Sequence, residues 1–126
     1  MANMDTLSYL VVDDVSSVRE FLRQSLIHLG VAAENIDEAA TGQVALERYR
    51  KSIPDVVFLD IELPDLDGHE VLKQIKAIKD NAFIVMVSAH STVENVKEAI
   101  SSGASGFIVK PFSPQKITTI LNKYSG

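Results

Sequence analysis

Five residues of this 126-residue chain carry side chains that could do chemistry together: Asp13, Asp14, Asp60, Ser88 and Lys110. Each follows a short apolar run. Tyr9-Leu10-Val11-Val12 leads into Asp13 and Asp14, Val56-Val57-Phe58-Leu59 into Asp60, Phe83 to Val87 into Ser88, and Phe107-Ile108-Val109 into Lys110. Three carboxylates gathered without compensation repel one another, so such a site either retains protons or holds a cation. All-oxygen ligation with no His or Cys favours Mg²⁺, with Mn²⁺ possible, and an incomplete protein shell leaves places for water and a phosphoryl oxygen. Lys110 adds a mobile positive charge and Ser88 a neutral hydroxyl, both suited to a tetrahedral anion. Together these parts describe phosphoryl transfer to a carboxylate, in which positioning and charge neutralisation supply most of the catalysis. A single Asp at a strand end is more often a turn former or helix cap. The set argues for a site because one rim accounts for every member.

The elements that must position these residues are legible from periodicity. The run Val56 to Leu59, closed by Asp60 and then by Pro64 and Asp67-Gly68, reads as a strand buried on both faces. The other three runs read the same way, and the polar stretch Asn35 to Ala39 reads as a strand at or near a sheet edge. Between them the period becomes helical. Val18, Phe21, Leu22, Ser25, Leu26 and Leu29 share a face, with Ser17 and Glu20 as a capping box and Gly30 as the stop. Val44, Ala45 and Tyr49 mark a second helix from Gly42 to Arg50, and Val71, Leu72, Ile75 and Ile78 a third. Val93, Val96, Ala99 and Ile100 mark the fourth, capped by Ser91 and closed by Gly103, and Ile117, Ile120, Leu121 and Tyr124 the last. Strands alternating with helices predict a three-layer α/β domain with parallel strands and right-handed crossovers. In such folds the ligand crevice lies outside the carboxyl ends of the strands, where all five candidate residues fall, and helix N-termini open onto it.

Composition narrows the partners. A formal charge of −5 supplies no general basic field for a phosphate backbone, which disfavours direct nucleic-acid binding. The chain has no cysteine, hence neither a disulfide framework nor a thiolate metal site. No apolar run approaches the roughly 20 residues that span a bilayer, and the first residues lack a signal-peptide pattern. A single cytoplasmic domain over residues 1–126, without membrane contact, is the expectation.

The motifs VVDD ending at Asp14, FLD ending at Asp60, P-x-x-D-G from Pro64 to Gly68, VSA from Val87 to Ala89 and GASGFIVKP from Gly103 to Pro111 stand in a specific order. In that order they resemble the receiver domain of two-component response regulators, of the single-domain chemotaxis type, from Leu7 to about Lys123. The resemblance implies a flavodoxin-like, doubly wound five-stranded parallel sheet of order 2-1-3-4-5 with helices on both faces, an order that belongs to this fold type and that spacing alone leaves open. It implies that Asp60 is the phosphoacceptor, charged by a histidine kinase, a phosphotransfer protein or a small acyl phosphate. Asp14 would bind Mg²⁺ directly and Asp13 largely through water, with the Glu62 backbone carbonyl as a further ligand. Ser88 would bond a phosphoryl oxygen, Lys110 would pair with the phosphoryl group, and Phe107 would be the switch aromatic. The Lys110-Pro111 bond is expected to be cis on the resemblance alone, since cis is uncommon for X-Pro bonds.

The resemblance also implies an output protein docking on the surface from Ser91 to Tyr124, with the chain a monomer or a weak phosphorylation-dependent dimer. No enzymatic action is expected beyond its own phosphorylation and dephosphorylation. Leu63 and Leu66 stand where the family often has methionine, and Phe107 lacks a tyrosine hydroxyl. Glu62 and His90 occupy variable positions that flank the route of attacking water, so they are candidates for setting the lifetime of the phosphorylated state. Asp65 and Asp67 read as solvated loop acids, and His28 and His69 as surface residues. The rival reading is a small aspartate-nucleophile phosphatase, because Asp60-Ile61-Glu62 imitates a D-x-D pair. Against it, that family's metal acids follow the Lys in the chain, whereas Asp13 and Asp14 precede everything.

Overall fold

The computed structural model describes residues 4–90, 92–111 and 113–124. Five strands alternate with five helices: β1 (Tyr9–Val12), α1 (Ser16–His28), β2 (Ile36–Ala39), α2 (Gly42–Ser52), β3 (Val56–Asp60), α3 (Gly68–Ile78), β4 (Phe83–Ser88), α4 (Val93–Ser101), β5 (Gly106–Val109) and α5 (Pro114–Leu121). All neighbouring strands pair in parallel, in the order β2-β1-β3-β4-β5. This is the doubly wound sheet expected, with its order reversing between β1 and β3 so that a crevice opens above their carboxyl ends.

Strands β1 and β3 are buried along their whole length, while the edge strand β2 exposes Asp37 and half-exposes Glu38. Successive side chains of a strand point to opposite faces, and the core divides accordingly. Leu10, Val12, Val57, Leu59, Ile84 and Met86 meet Ala45, Leu46 and Tyr49 of α2, Val71, Leu72 and Ile75 of α3, and Ala99 of α4. Tyr9, Val11, Val56, Phe58, Val85, Val87 and Ile108 face Leu22 and Leu26 of α1 and Ile117, Ile120 and Leu121 of α5. The continuous apolar runs in the sequence are thus two interleaved half-cores.

Helix termini follow local chemistry, with exceptions. After α1, Gly30 (φ 104°) takes the left-handed conformation while Val31 N–H donates to Leu26 O and Gly30 N–H to Ile27 O, a paired closure that satisfies two orphan carbonyls. Gly103 (φ 99°) closes α4 in the same way. The Ser17–Glu20 capping box does not form. The N-cap of α1 is Val15, two residues before Ser17; it offers no side-chain cap, and the Asp13 carboxylate accepts from Val15 N–H at 2.9 Å to shape the turn instead. Ser91 lies outside the described residues, and Thr92 is the cap of α4, its hydroxyl accepting from Asn95 N–H at 3.1 Å.

The predicted apolar stripes are wider than the faces that the sheet covers. Phe21 is 42 % exposed, and α4 buries only Ala99, leaving Val93 and Ile100 more than half exposed. His69, read from sequence as a surface residue, is instead 4 % exposed. It follows Gly68 at the start of α3 and tucks beneath α4, where its Nε2 lies 3.6 Å from Glu98 Oε1.

Candidate functional site

Each strand that ends at the crevice delivers a polar residue just where its hydrogen-bond ladder runs out. The last pairs of β1 are Val12 with Ala39 and with Leu59, so Asp13 and Asp14 project beyond the sheet. Asp60 ends β3 opposite Val87, and Ser88 ends β4 opposite Val109, one residue before Lys110. Asp13, Asp14 and Asp60 converge, with one carboxylate oxygen from each lying within 4.8 Å of the others. Asp13 and Asp60 are buried and Asp14 is exposed, which gives the cluster an open side. Lys110 Nζ donates to Asp13 Oδ2 at 2.7 Å and lies 3.5 Å from Asp60 Oδ2.

The electrostatics follow from this crowding. Burial, and after it the Asp13 charge, push the Asp60 carboxyl from its ordinary 3.8 up to about 6, with the Lys110 ammonium and the Glu62 N–H pulling the other way. Burial works against the Lys110 ammonium, but the hydrogen bond to Asp13 and the charges of Asp60 and Asp13 outweigh it and hold its pKa above the ordinary lysine value. Three mutually repelling oxygen donors beside one lysine suit a hard divalent cation such as Mg²⁺, whose charge relieves the repulsion and whose remaining ligands can be water.

The remaining candidates stand around this centre without touching it in the same way. Ser88 is fully buried, and its Oγ is occupied by the backbone of its own loop, accepting from His90 N–H at 3.0 Å and donating to His90 O at 3.3 Å. Asn95 Nδ2 holds the same carbonyl at 3.1 Å. Glu62 N–H donates to Asp60 Oδ1 at 3.3 Å, while the exposed Glu62 carboxylate meets His90 Nδ1 at 2.6 Å, tying the loop after β3 to the loop after β4. Phe107 is half-buried against the α2–α4 side of the core. The Lys110-Pro111 peptide bond is cis.

Several residues beside the site have roles that sequence reasoning missed. Asp65, read as a solvated loop acid, is exposed but accepts from the Gly42 and Gln43 N–H groups at 2.8 and 3.0 Å, which holds its carboxyl below the usual carboxylate range and ties the loop beyond Asp60 to the start of α2. Asp67 caps α3 through His69 N–H at 2.8 Å, a role visible in an Asp placed just before a helical stripe. Arg19 donates from Nη1 to Asp13 O at 2.6 Å and from Nε to Glu38 Oε1 at 3.0 Å. Nothing local in the sequence announces that bridge. An apolar cavity of about 370 Å³ lined by Ser17, Val18, Phe21, Ala89, Lys110 and Pro111 opens beside the acids.

The chain is similar to known proteins over most of its length. The family model described as the response regulator receiver domain matches residues 9–122. The chain is 40% identical over 116 residues to the chemotaxis protein CheY of Thermotoga maritima, covering 92% of this chain and 95% of that one. It is also 40% identical over 114 residues to CheY of Bacillus subtilis, covering 90% and 93%. Its fold superposes with a TM-score of 0.90 on a CheX-CheY-BeF3-Mg²⁺ complex from Borrelia burgdorferi, at 32% identity over 98% of this chain and 96% of that chain. With the match covering nearly the whole sheet and its helices, the chain belongs to the receiver domains of two-component response regulators, a CheY-like signalling protein.

Proposed function

We propose that Asp60 is the phosphoacceptor of a Mg²⁺-dependent signalling switch, charged by a histidine kinase, a phosphotransfer protein or a small acyl phosphate. The observation that carries this reading is the convergence of Asp13, Asp14 and Asp60 within 4.8 Å at the strand ends, with Lys110 reaching both buried acids. An Asp60 carboxylate oxygen attacks phosphorus, the bond from phosphorus to the donor nitrogen or oxygen breaks, and the leaving group departs with the electron pair. Asp14, Asp60, the Glu62 backbone carbonyl and, largely through water, Asp13 would hold Mg²⁺, or Mn²⁺ in its place, which would supply charge neutralisation for the phosphoryl oxygens. Asp60 reacts as the anion, the form that burial and, after it, the Asp13 charge disfavour and that a bound cation would favour.

Lys110 then leaves Asp13 for a phosphoryl oxygen, and Ser88 exchanges its bonds with the His90 backbone for a bond to another. Drawing Ser88 inward pulls the loop after β4, and Phe107 turns further into the space beside it. This rearrangement alters the surface from Ser91 to Tyr124, on which an output protein docks. Ser91 and Phe112 of that surface lie outside the described residues. The exposed Val93 and Ile100, and a 290 Å³ groove lined by Phe107, Ile108, Val109, Lys116, Thr119 and Ile120, support docking there. A useful switch needs phosphorylation to favour the active conformer by about 1–3 kcal/mol. The receiver domain, matched over residues 9–122, acts in the cytoplasm with no turnover of other substrates.

Glu62 and His90, hydrogen-bonded across the mouth, set the lifetime of the phosphorylated state; unchanged dephosphorylation rates in both Glu62→Ala and His90→Ala would remove them from that role. The central test is incubation with acetyl phosphate and Mg²⁺ followed by intact-mass measurement. One added phosphoryl group is expected in wild type, and none in Asp60→Asn or with chelator. Its absence in wild type, or its persistence in Asp60→Asn, would end the proposal.

A further inference from the structure

Asp13 is 1 % exposed, and each of its polar groups has a partner. Its N–H donates to Ala39 O at 3.1 Å, continuing the β2 ladder by one bond. Its Oδ1 accepts from Val15 N–H at 2.9 Å and its Oδ2 from Lys110 Nζ at 2.7 Å. The carbonyl lies past the last strand pair, where the sheet offers it no donor, and a buried carbonyl left alone carries the full desolvation penalty. Arg19 Nη1 fills that place at 2.6 Å, from the first turns of α1. Its guanidinium is itself oriented by Glu38 on the edge strand, which accepts from Nε at 3.0 Å and also lies 3.9 Å from Arg23 Nη1. The Arg19 side chain is 18 % exposed, so the fork is held in a largely buried setting.

We propose that Arg19 is a positioning residue for the acidic site: its guanidinium, braced by Glu38, fixes the Asp13 carbonyl and with it the turn that presents Asp13 and Asp14 to a divalent cation. The inference rests on the reading of Asp13, Asp14 and Asp60 as the Mg²⁺ ligands. Two atoms of one planar group join three places in the fold: the turn just after β1 through Asp13, α1 through Arg19 and β2 through Glu38. Without the fork the Asp13 carbonyl must turn to find another donor, and rotation about that peptide moves both carboxylates relative to Asp60, which is anchored separately on β3. A lysine keeps the charge but, as a single flexible ammonium, does not hold both acceptors in one plane.

The test is the Mg²⁺ dissociation constant, measured by calorimetry on the full chain for wild type, Arg19→Gln, Arg19→Lys and Glu38→Ala, with circular dichroism in chelator to establish that each is folded. Arg19→Gln is expected to weaken Mg²⁺ binding about tenfold, as loss of a group that orients metal ligands does. Arg19→Lys and Glu38→Ala should fall between it and wild type. With acetyl phosphate, the Mg²⁺ concentration for half-maximal phosphorylation of Arg19→Gln should rise by the same factor while the rate at saturating Mg²⁺ recovers. An affinity in Arg19→Gln within twofold of wild type overturns the proposal, as does full restoration by Arg19→Lys, which would make charge alone responsible. Should Arg19→Gln fail to fold, Glu38→Ala decides, and unchanged affinity there is equally fatal. A wild type that binds no Mg²⁺ overturns the cation reading itself, a result distinct from a variant that binds as well as wild type.

Discussion

Asp60→Asn keeps the size and shape of a buried side chain and removes its charge, so it isolates what the crowding of carboxylates does to folding. In the metal-free protein the Asp60 carboxyl holds its proton up to about pH 6, against an ordinary 3.8. A tenfold change in proton affinity is worth about 1.4 kcal/mol, so ionising Asp60 in place destabilises the fold by about 3 kcal/mol. The sign follows from proton counting. Between pH 3.8 and 6 the unfolded chain has released this proton while the native state still binds it, so native stability falls as pH rises through that window and then levels off. Asparagine has no proton to lose.

The expected result in chelator is therefore near-equality of the two proteins at about pH 4. The gap in favour of Asp60→Asn opens between pH 4 and 6 and stays at about 3 kcal/mol above pH 7. The chain has no tryptophan, so urea denaturation is best followed by far-ultraviolet circular dichroism. Lys110 retains its 2.7 Å partner Asp13 in the variant, which limits secondary losses. Adding Mg²⁺ should stabilise wild type by mass action and narrow the gap, because the variant has lost one carboxylate ligand. Equal stabilities at pH 8 in chelator, or a gap that does not vary with pH, would refute the account of the site's electrostatics.

Other perturbations test neighbouring parts of the structure. Lys110→Ala should destabilise the metal-free protein by about 3 kcal/mol at pH 7.5, because Asp13 and Asp60 are left buried without a cation; urea titrations with and without Mg²⁺ should show the deficit shrinking as the metal binds. Gly68→Ala places a Cβ against the Asp60 carbonyl oxygen and the Ile61 Cα, backbone that cannot step aside, so a loss of about 3 kcal/mol and impaired phosphorylation by acetyl phosphate are expected. Thr41→Ala removes the cap whose Oγ1 accepts from Val44 N–H at 3.1 Å and should lower stability by about 1 kcal/mol in the same denaturation assay, leaving phosphorylation unaltered.

The division between what sequence and structure decide runs along the range of each interaction. Alternation of apolar runs with helical stripes, glycines at helix ends and polar residues at strand ends are local patterns, and they determined the α/β class, the element order and the side of the sheet where a site belongs. The strand order was legible through the family resemblance that the order of the motifs carries. Only the tertiary structure decided which polar groups meet across that rim: Arg19 with Asp13 and Glu38, Asp65 with the start of α2, Glu62 with His90. It also decided that His69 is buried and that Val93, Ile100 and Phe21 are not. A helical stripe shows which residues share a face, but how far a neighbouring element reaches over that face depends on packing between segments distant in the chain. Partner choice at a buried backbone carbonyl likewise depends on where the sheet's ladder stops and which side chain then lies within about 3 Å.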